Sequence, residues 1–377
     1  MARAAGRADW IGASVVALLM SAPLVGEALA QAPAGEERRT LRVDAVDLAR
    51  GVDSVGDASH RAEHAGFIYL FASEENQRAF LRDPEHYEIQ LGGACARMGP
   101  LSGMGTTANW ATHEGKLYIF ASESCRETFL ANADRLLEHD DPMLDRELLT
   151  PEAMAKGREW IDRAIESIGG AERLDALRSL RTRRTERPVH NGVEYLHVTS
   201  RYERFPDDFA EVDAWDEDWW SHAVSGENAF FSGSDGRIRD MHPQQRRAVE
   251  RDRARSLHAA LRARTRGDFF ACELPPEAGD DAQAVVRVAT WFDGTRVDLV
   301  LDRASGRPVG MAYAGRGPSL MIGRVERRFT GFAEAGGLTL PNAWSTTFDG
   351  APAESLGAKD LAIAADPEDA DTPFKRP

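Results

Sequence analysis

One stretch of this chain occurs twice, and that constrains its fold more than any other feature. His64-Ala-Gly-Phe-Ile-Tyr-Leu-Phe-Ala-Ser-Glu-Glu-Asn-Gln-Arg-Ala-Phe80 returns as His113-Glu-Gly-Lys-Leu-Tyr-Ile-Phe-Ala-Ser-Glu-Ser-Cys-Arg-Glu-Thr-Phe129. Gly66, Tyr69, Phe71 and Phe80 answer Gly115, Tyr118, Phe120 and Phe129 at constant spacing. Such self-similarity means two copies of one supersecondary unit. The runs Phe67 to Phe71 and Lys116 to Phe120 read as strands. Ser73 and Ser122 are natural N-caps, with Glu74, Glu75 and Glu123 in the first helical turn, where the helix dipole favours anions. Ala79, Phe80 and Leu81 are expected to give the first helix its buried side, Asp83-Pro84 ends it, and the second helix runs through Leu130. One position departs. Copy one carries Asn76 where copy two carries Cys125, and the same spacing upstream sets Val46 against Cys95. Any thiol chemistry therefore belongs to copy two.

The 377 residues suffice for roughly two domains of ~150 residues. A formal charge of −15 argues against nucleic acid as a partner, because phosphate binding needs a basic surface. It argues equally against simple docking on anionic lipid. The first thirty residues read as an export signal: Arg3 and Arg7, an apolar run Ile11 to Val25, and small residues at Ala28 and Ala30 before Gln31. That run is shorter than a membrane span needs and contains Pro23, so an integral membrane protein is not expected. Export leads to an oxidising compartment, periplasmic or secreted, where disulfides persist. The three cysteines allow at most one internal pair.

Residues 31–40 form a polar linker and residues 41–140 the tandem module. The copies are separated by a Gly- and Pro-rich loop from Leu91 to Gly105. Glu138 to Pro142 reads as an acidic hinge. Pro151 then starts a helix at the favoured first position, with Ile161, Ile165 and Ile168 as its apolar stripe and Gly169-Gly170 as its stop. A shorter helix carries Leu174, Leu177 and Leu180. From about Arg181 to Gly350 the chain is strand-like, with runs at Val193 to Tyr202, Ala284 to Phe292, Thr295 to Leu301, Pro308 to Tyr313, Leu320 to Phe332 and Leu338 to Phe348. Asp293-Gly294 and Asp302 to Gly306 are turn signals. Sequential short strands of this kind imply a single antiparallel meander, interrupted by one helix from His242 to about Arg266. The tail, 366–377, reads as disordered. The fold class is α+β.

The repeat resembles the YHS domain family over roughly Val43 to Leu137, on its Gly-x-x-Tyr-x-Phe-x-Ser core. In metal-binding members of that family three cysteines act. By resemblance Cys95 and Cys125 match the first and last of them, while Ala121 stands at the middle position. The later part, 151–365, is similar to the LolA-like lipoprotein-carrier superfamily. That resemblance is carried by Gly169-Gly-Ala-Glu-Arg-Leu-Asp-Ala-Leu-Arg-Ser-Leu180, by Asp302 to Pro308 and by Gly337-Leu-Thr-Leu-Pro341. It implies a curved antiparallel half-barrel around an apolar cavity, and a lipophilic small molecule or acyl chain as partner.

Cys125 stands near the third position of its helix, where the N-terminus favours a thiolate. Cys95, Met98, Met104 and His113 are the remaining soft or imidazole donors near it. Together they would suit Cu(I), or Zn(II) without the thioethers. The competing readings are a Cys95–Cys125 disulfide and a reactive thiol pair. Cys272, in Phe269-Phe-Ala-Cys-Glu, is expected to fill an apolar strand position. His60, His64 and His86 belong to the copy without cysteine and read as turn or surface residues. The acid-and-aromatic stretch Phe205 to Trp220 lacks calcium-loop spacing and reads as strands with an aromatic inner face and solvated acids. The arginines of the helix from His242 form a solvated face beside those acids. No nucleophile elbow, metalloprotease motif, phosphate loop or dinucleotide fingerprint is present. The sequence thus points to an exported, non-enzymatic binding protein with no resident cofactor. A soft-metal site at Cys95 and Cys125 and a thiol–disulfide redox protein are the alternatives.

Overall fold

The computed structural model describes residues 39–137, 149–190, 192–275, 282–290 and 295–375. The export signal, the acidic hinge and the Asp293-Gly294 turn lie outside them. The chain divides into two compact units, one ending at Leu137 and the other running from Glu138.

In the first unit the order is β1 (Thr40–Leu41), α1 (Ala45–Ala49), β2 (Asp57–His64), β3 (Phe67–Phe71), α2 (Glu74–Arg82), α3 (Pro84–Tyr87), β4 (Thr106–His113), β5 (Lys116–Phe120) and α4 (Glu123–Leu136). The repeat is visible bond by bond. In copy one Asp57 pairs with Phe71 and Arg61 with Leu70, with a bulge between Asp57 and Arg61. In copy two Thr106 pairs with Phe120 and Trp110 with Ile119, with the bulge between Thr106 and Trp110. Each hairpin turns on a residue pair with positive φ, Ala65-Gly66 and Glu114-Gly115, the conformation that two-residue hairpins require and that glycine adopts without strain. Ser73 and Ser122 accept from the N–H groups of Asn76 and Cys125, both at 3.2 Å. Phe80 and Phe129 then sit 1% and 0% exposed against matching rings. Tyr69 and Phe71 lie 4.5 and 5.2 Å from Phe80, and Tyr118 and Phe120 lie 5.1 and 5.0 Å from Phe129. Each such phenylalanine buries about 1.5–3 kcal/mol of transfer free energy.

The second unit is built on two antiparallel sheets of seven strands. It opens with α5 (Pro151–Ile168) and α6 (Ala171–Ala176), capped at Thr150, whose hydroxyl accepts from Ala153 N–H at 3.1 Å. The first sheet contains β6 (Ser179–Glu186), β9 (His197–Arg204), β10 (Asp208–Trp215), β11 (Asp218–Ser225), β12 (Asn228–Gly233) and β13 (Ile238–Asp240); β7 (Val189–His190) and β8 (Val193–Glu194) form a separate two-stranded ribbon between β6 and β9 in the chain. Two helices follow, α7 (Pro243–Ala254) and α8 (Leu257–Arg262). The second sheet contains β14 (Phe269–Glu273), β15 (Gln283–Thr290), β16 (Arg296–Asp302), β17 (Pro308–Arg316), β18 (Ile322–Ala335), β19 (Leu338–Phe348) and β20 (Ala351–Pro352), and β21 (Ala362–Ala365) returns to pair with β6. The sheets are curved and stay open, so no closed barrel forms.

Ile161, Ile165 and Ile168 of α5 enter one core with Leu257 and Leu261 of α8 and with Val286, Val288, Val297, Leu299 and Leu301 of the second sheet. Gly157 explains how closely α5 approaches: a Cβ there would stand 2.6 Å from the backbone of Ala271 and Cys272. Cys272 is fully buried on β14, as the sequence implied.

Three expectations need correction. The meander is two sheets rather than one, because α7 and α8 come between β13 and β14 and cover apolar strand faces. The single helix His242 to Arg266 breaks at Arg255-Ser256, where the Ser256 hydroxyl accepts from Ala259 N–H and starts a second helix. The tail is ordered through Lys375. Asp366 accepts from the N–H groups of Arg178 and Ser179 at 3.0 and 2.8 Å, Asp369 pairs with Arg181 at 2.5 Å and Asp371 with Arg204 at 2.7 Å. Phe374 packs with Ala210, Ala223 and Phe230 on the outer face of the first sheet. The acids that suggested disorder are the ones that bind the tail to strand arginines.

Candidate functional site

Two places in the molecule concentrate chemistry, one in each unit. In the first, the loop between the copies brings Cys95 to the N-terminus of α4. Cys95 is 1% exposed, and the N–H of Ala121 donates to its sulfur at 3.3 Å. Burial pushes the Cys95 thiol up from its ordinary value, and the neighbouring Cys125, which is also hydrogen-bonded to it, pushes the same way. Cys125 is half-buried. The structure thus brings together the two thiols that copy one lacks.

It does not assemble the wider soft-metal set. The Met98 sulfur accepts from Arg97 Nη1 at 3.1 Å. Met104 packs on the copy-one core beside Gly93 and Phe67. His113, at the end of β4, faces Asp134 at 3.3 Å and the edge of Phe129. Among the described residues no group of three or more His, Cys, Asp or Glu side chains converges as a metal site would. Two thiols alone leave a tetrahedral ion half-coordinated. In copy one His64 makes the matching contacts, with Glu88 at 3.0 Å and with Phe80.

The second place is the interior of the C-terminal unit. The alternation expected for Phe205 to Trp220 holds as strand structure and its inner face does carry aromatics, but the acids expected in solvent share that face. Cross-strand pairing places Glu211 and Asp213 on one face with Phe209, Trp220, Arg201, Thr199 and His222. Phe209 and Trp220 both lie against the His222 ring, while Trp219 on the opposite face and Trp215 at the strand end are 37% exposed. Charge pairing makes this tolerable, since a buried carboxylate costs little only when partnered. Arg201 bonds Glu211 at 2.5 Å and reaches Asp252 of α7 at 3.2 Å. Asp213 accepts from Thr199 at 2.7 Å and faces His197 at 3.2 Å. Burial pushes the Asp213 carboxyl up, and its His197 and Thr199 hydrogen bonds outweigh that and hold it low. Burial likewise pushes Asp252 up, and the Arg201, Arg255 and Arg327 guanidiniums overcome it. Burial lowers His222 below its ordinary value, against the opposing pull of Glu211, Asp213 and Asp252. Arg201 and Asp252 remain 40% and 39% exposed between the sheets, so this polar interior is open to solvent.

Beside it a recess of about 140 Å³ has a mixed lining, apolar at Phe205, Ala254, Ala260, Val288 and Val297 and polar at Asp207, Arg253, Arg262 and Arg266. Arg253 pairs with Asp207 at 3.1 Å, so the arginine-rich helix does lie against the acidic stretch. Sequence reading missed the Arg255, Tyr313 and Arg327 group. Its one signal was an arginine at an inward position of β18, between Val325 and Phe329.

No helix among the described residues is long and apolar enough to cross a membrane. No family model matches the chain, and no curated protein does. Solved structures similar to it include a DUF1329 family protein from Desulfovibrio piger ATCC 29098, at 9% identity over 58% of this chain and 97% of that one with a TM-score of 0.38, and a LolA superfamily protein from Nitrosomonas europaea, at 16% identity over 55% and 90% with a TM-score of 0.35.

Proposed function

We propose that this chain is an exported, non-enzymatic binding protein whose C-terminal unit takes a lipophilic group, such as an acyl chain, between helices α7 and α8 and the second sheet. The observation that carries the reading is the recess whose wall is the core face of β15 and β16 and whose other side is the broken helix pair. Its present volume is below the roughly 300–1,000 Å³ of typical small-molecule sites. Occupancy by a long chain therefore moves α8 outward from Val288 and Val297. The break at Arg255-Ser256 supplies the hinge. Native mass spectrometry of protein purified gently from an exporting host should show a lipid-sized adduct. A clean apo mass, together with no uptake of a fluorescent fatty acid, would overturn the proposal.

A second reading, for the first unit, is that Cys95 and Cys125 close to a disulfide in an oxidising compartment. The hydrogen bond between the two thiols favours it. The two thiols lose two protons and two electrons to an added disulfide oxidant such as oxidised glutathione, which is reduced to two thiols. Intact mass and thiol titration before and after oxidation check it. Two thiols that stay titratable while Cys272 remains protected would sink it.

A further inference from the structure

Arg255 and Arg327 stand on either side of the broken helix and the second sheet, near one ring. The Arg255 guanidinium lies 5.5 Å from the centre of Tyr313 and that of Arg327 5.2 Å from it, and Arg327 lies 5.0 Å from Trp344. Arg327 occupies an inward position. It pairs across the sheet with Met311, and its neighbours on that face, Val325 and Phe329, are buried. A charge among such residues is costly unless a counter-ion meets it. Yet among the described residues neither guanidinium makes an ion pair or a side-chain hydrogen bond, and the buried Nε of Arg327 has no acceptor. Among the carboxylates of the same interior, Glu211 is bonded to Arg201 and Asp213 to His197 and Thr199. Asp252 is the carboxylate whose charge feels both guanidiniums, and it is already paired with Arg201 at 3.2 Å, so it stands against three arginines. Ring contacts offset only part of the cost, about 0.5–2 kcal/mol each.

We infer that Arg255 and Arg327, flanking Tyr313, form the site for the anionic head of an amphiphile. Arginine forks match the two oxygens of a carboxylate or phosphate. The tail has a path, because pairing of Leu299 with Met311 places Val297 and Tyr313 on the same face of neighbouring strands, and Val297 lines the recess, as does Ala254, the residue before Arg255. This assignment rests on the binding function proposed above and adds what that function lacks, a reason for the ligand to carry charge.

The test measures binding of palmitate, palmitoyl lysophosphatidate and hexadecanol to the full chain and to Arg327→Met, Arg255→Met and Arg328→Met. Arg328 is exposed on the opposite face of β18 and serves as the control. Palmitate or the lysophosphatidate should bind at least about tenfold more tightly than hexadecanol, the factor worth about 1.4 kcal/mol. Arg327→Met and Arg255→Met should each erase that preference while leaving hexadecanol binding unchanged. The ratio of the two anions separates a fatty-acid source from a phospholipid one. If all three ligands bind equally and neither variant alters them, the head site is wrong and the lipophilic function survives. If none binds, both fall. Should Arg327→Met fail to fold, Arg255→Met, at the end of α7, carries the same comparison.

Discussion

In copy one of the repeat the N–H of Ala72 donates to the carboxylate of Asp44 at 2.7 Å; at the matching turn of copy two the N–H of Ala121 donates to the sulfur of Cys95 at 3.3 Å. The next helical turn diverges in step. Asn76 donates from its side-chain amide to Asp44 and to Asp47, both at 2.8 Å, whereas its counterpart Cys125 meets Cys95. The acceptors are not at matching positions, since Cys95 corresponds to Val46 and Asp44 stands two residues earlier. The backbone frame is thus conserved between the copies while the side chain that fills the strand-to-helix turn is exchanged. A fixed carboxylate and amide make a permanent latch. A thiol pair at the same place makes one whose state depends on redox conditions.

The shared frame offers the largest effect with which to break this comparison. Phe80→Ala and Phe129→Ala each remove a fully buried ring that touches two others, and each should cost about 3–5 kcal/mol in urea unfolding of the intact chain. Similar losses sustain the view that the copies are equivalent scaffolds; a loss confined to one would show that the other copy is only its appendage. The next effect concerns the exchanged pair. Oxidation that joins Cys95 to Cys125 should raise stability by about 3 kcal/mol through loop closure in the unfolded chain, and Cys125→Ser should abolish the gain without changing the reduced protein by more than about 1 kcal/mol. Under the same reducing conditions Asn76→Ala should be the costlier change, at about 1–3 kcal/mol, because it leaves the buried Asp44 carboxylate short of a donor. Equal costs for Asn76→Ala and Cys125→Ser in reductant would erase the distinction between latch and switch.

The repeat was legible because its signals are local: a period-two run, a serine cap and a glycine turn in each copy. The same logic placed the α5 stripe and most strands of the second sheet. Long-range choices were not legible. Nothing local says that Asp213 turns inward, since its tolerance depends on His197 and Thr199 across the strand pair. The tail misled for a related reason, as its acids read as solvated until Arg181 and Arg204 are known to wait on the strands they meet. Cys95, Cys125, Met98, Met104 and His113 looked like one donor set in sequence, and only the two thiols meet. Proximity along the chain carried no information about Met104 and His113, whose directions are fixed by the core and by Phe129.

The smallest effect sharpens the comparison at the tyrosines. Burial is the largest cause raising both phenols, to about 12 for Tyr118 and further for Tyr69. The Tyr69 hydroxyl accepts from Ile89 N–H at 2.9 Å, while among the described residues the Tyr118 hydroxyl has no hydrogen bond. Folded values above the unfolded one mean stability that is complete below about pH 10 and is lost as pH rises, because the unfolded phenol ionises first. Tyr118→Phe should therefore be near neutral at pH 7 and should flatten the decline in stability above pH 10. Tyr69→Phe should flatten it too, but at pH 7 it should cost about 1 kcal/mol for the acceptor lost to Ile89. Urea midpoints of the two variants between pH 7 and 11 measure both. If Tyr69→Phe proved as silent at pH 7 as Tyr118→Phe, the Ile89 bond would contribute nothing to stability.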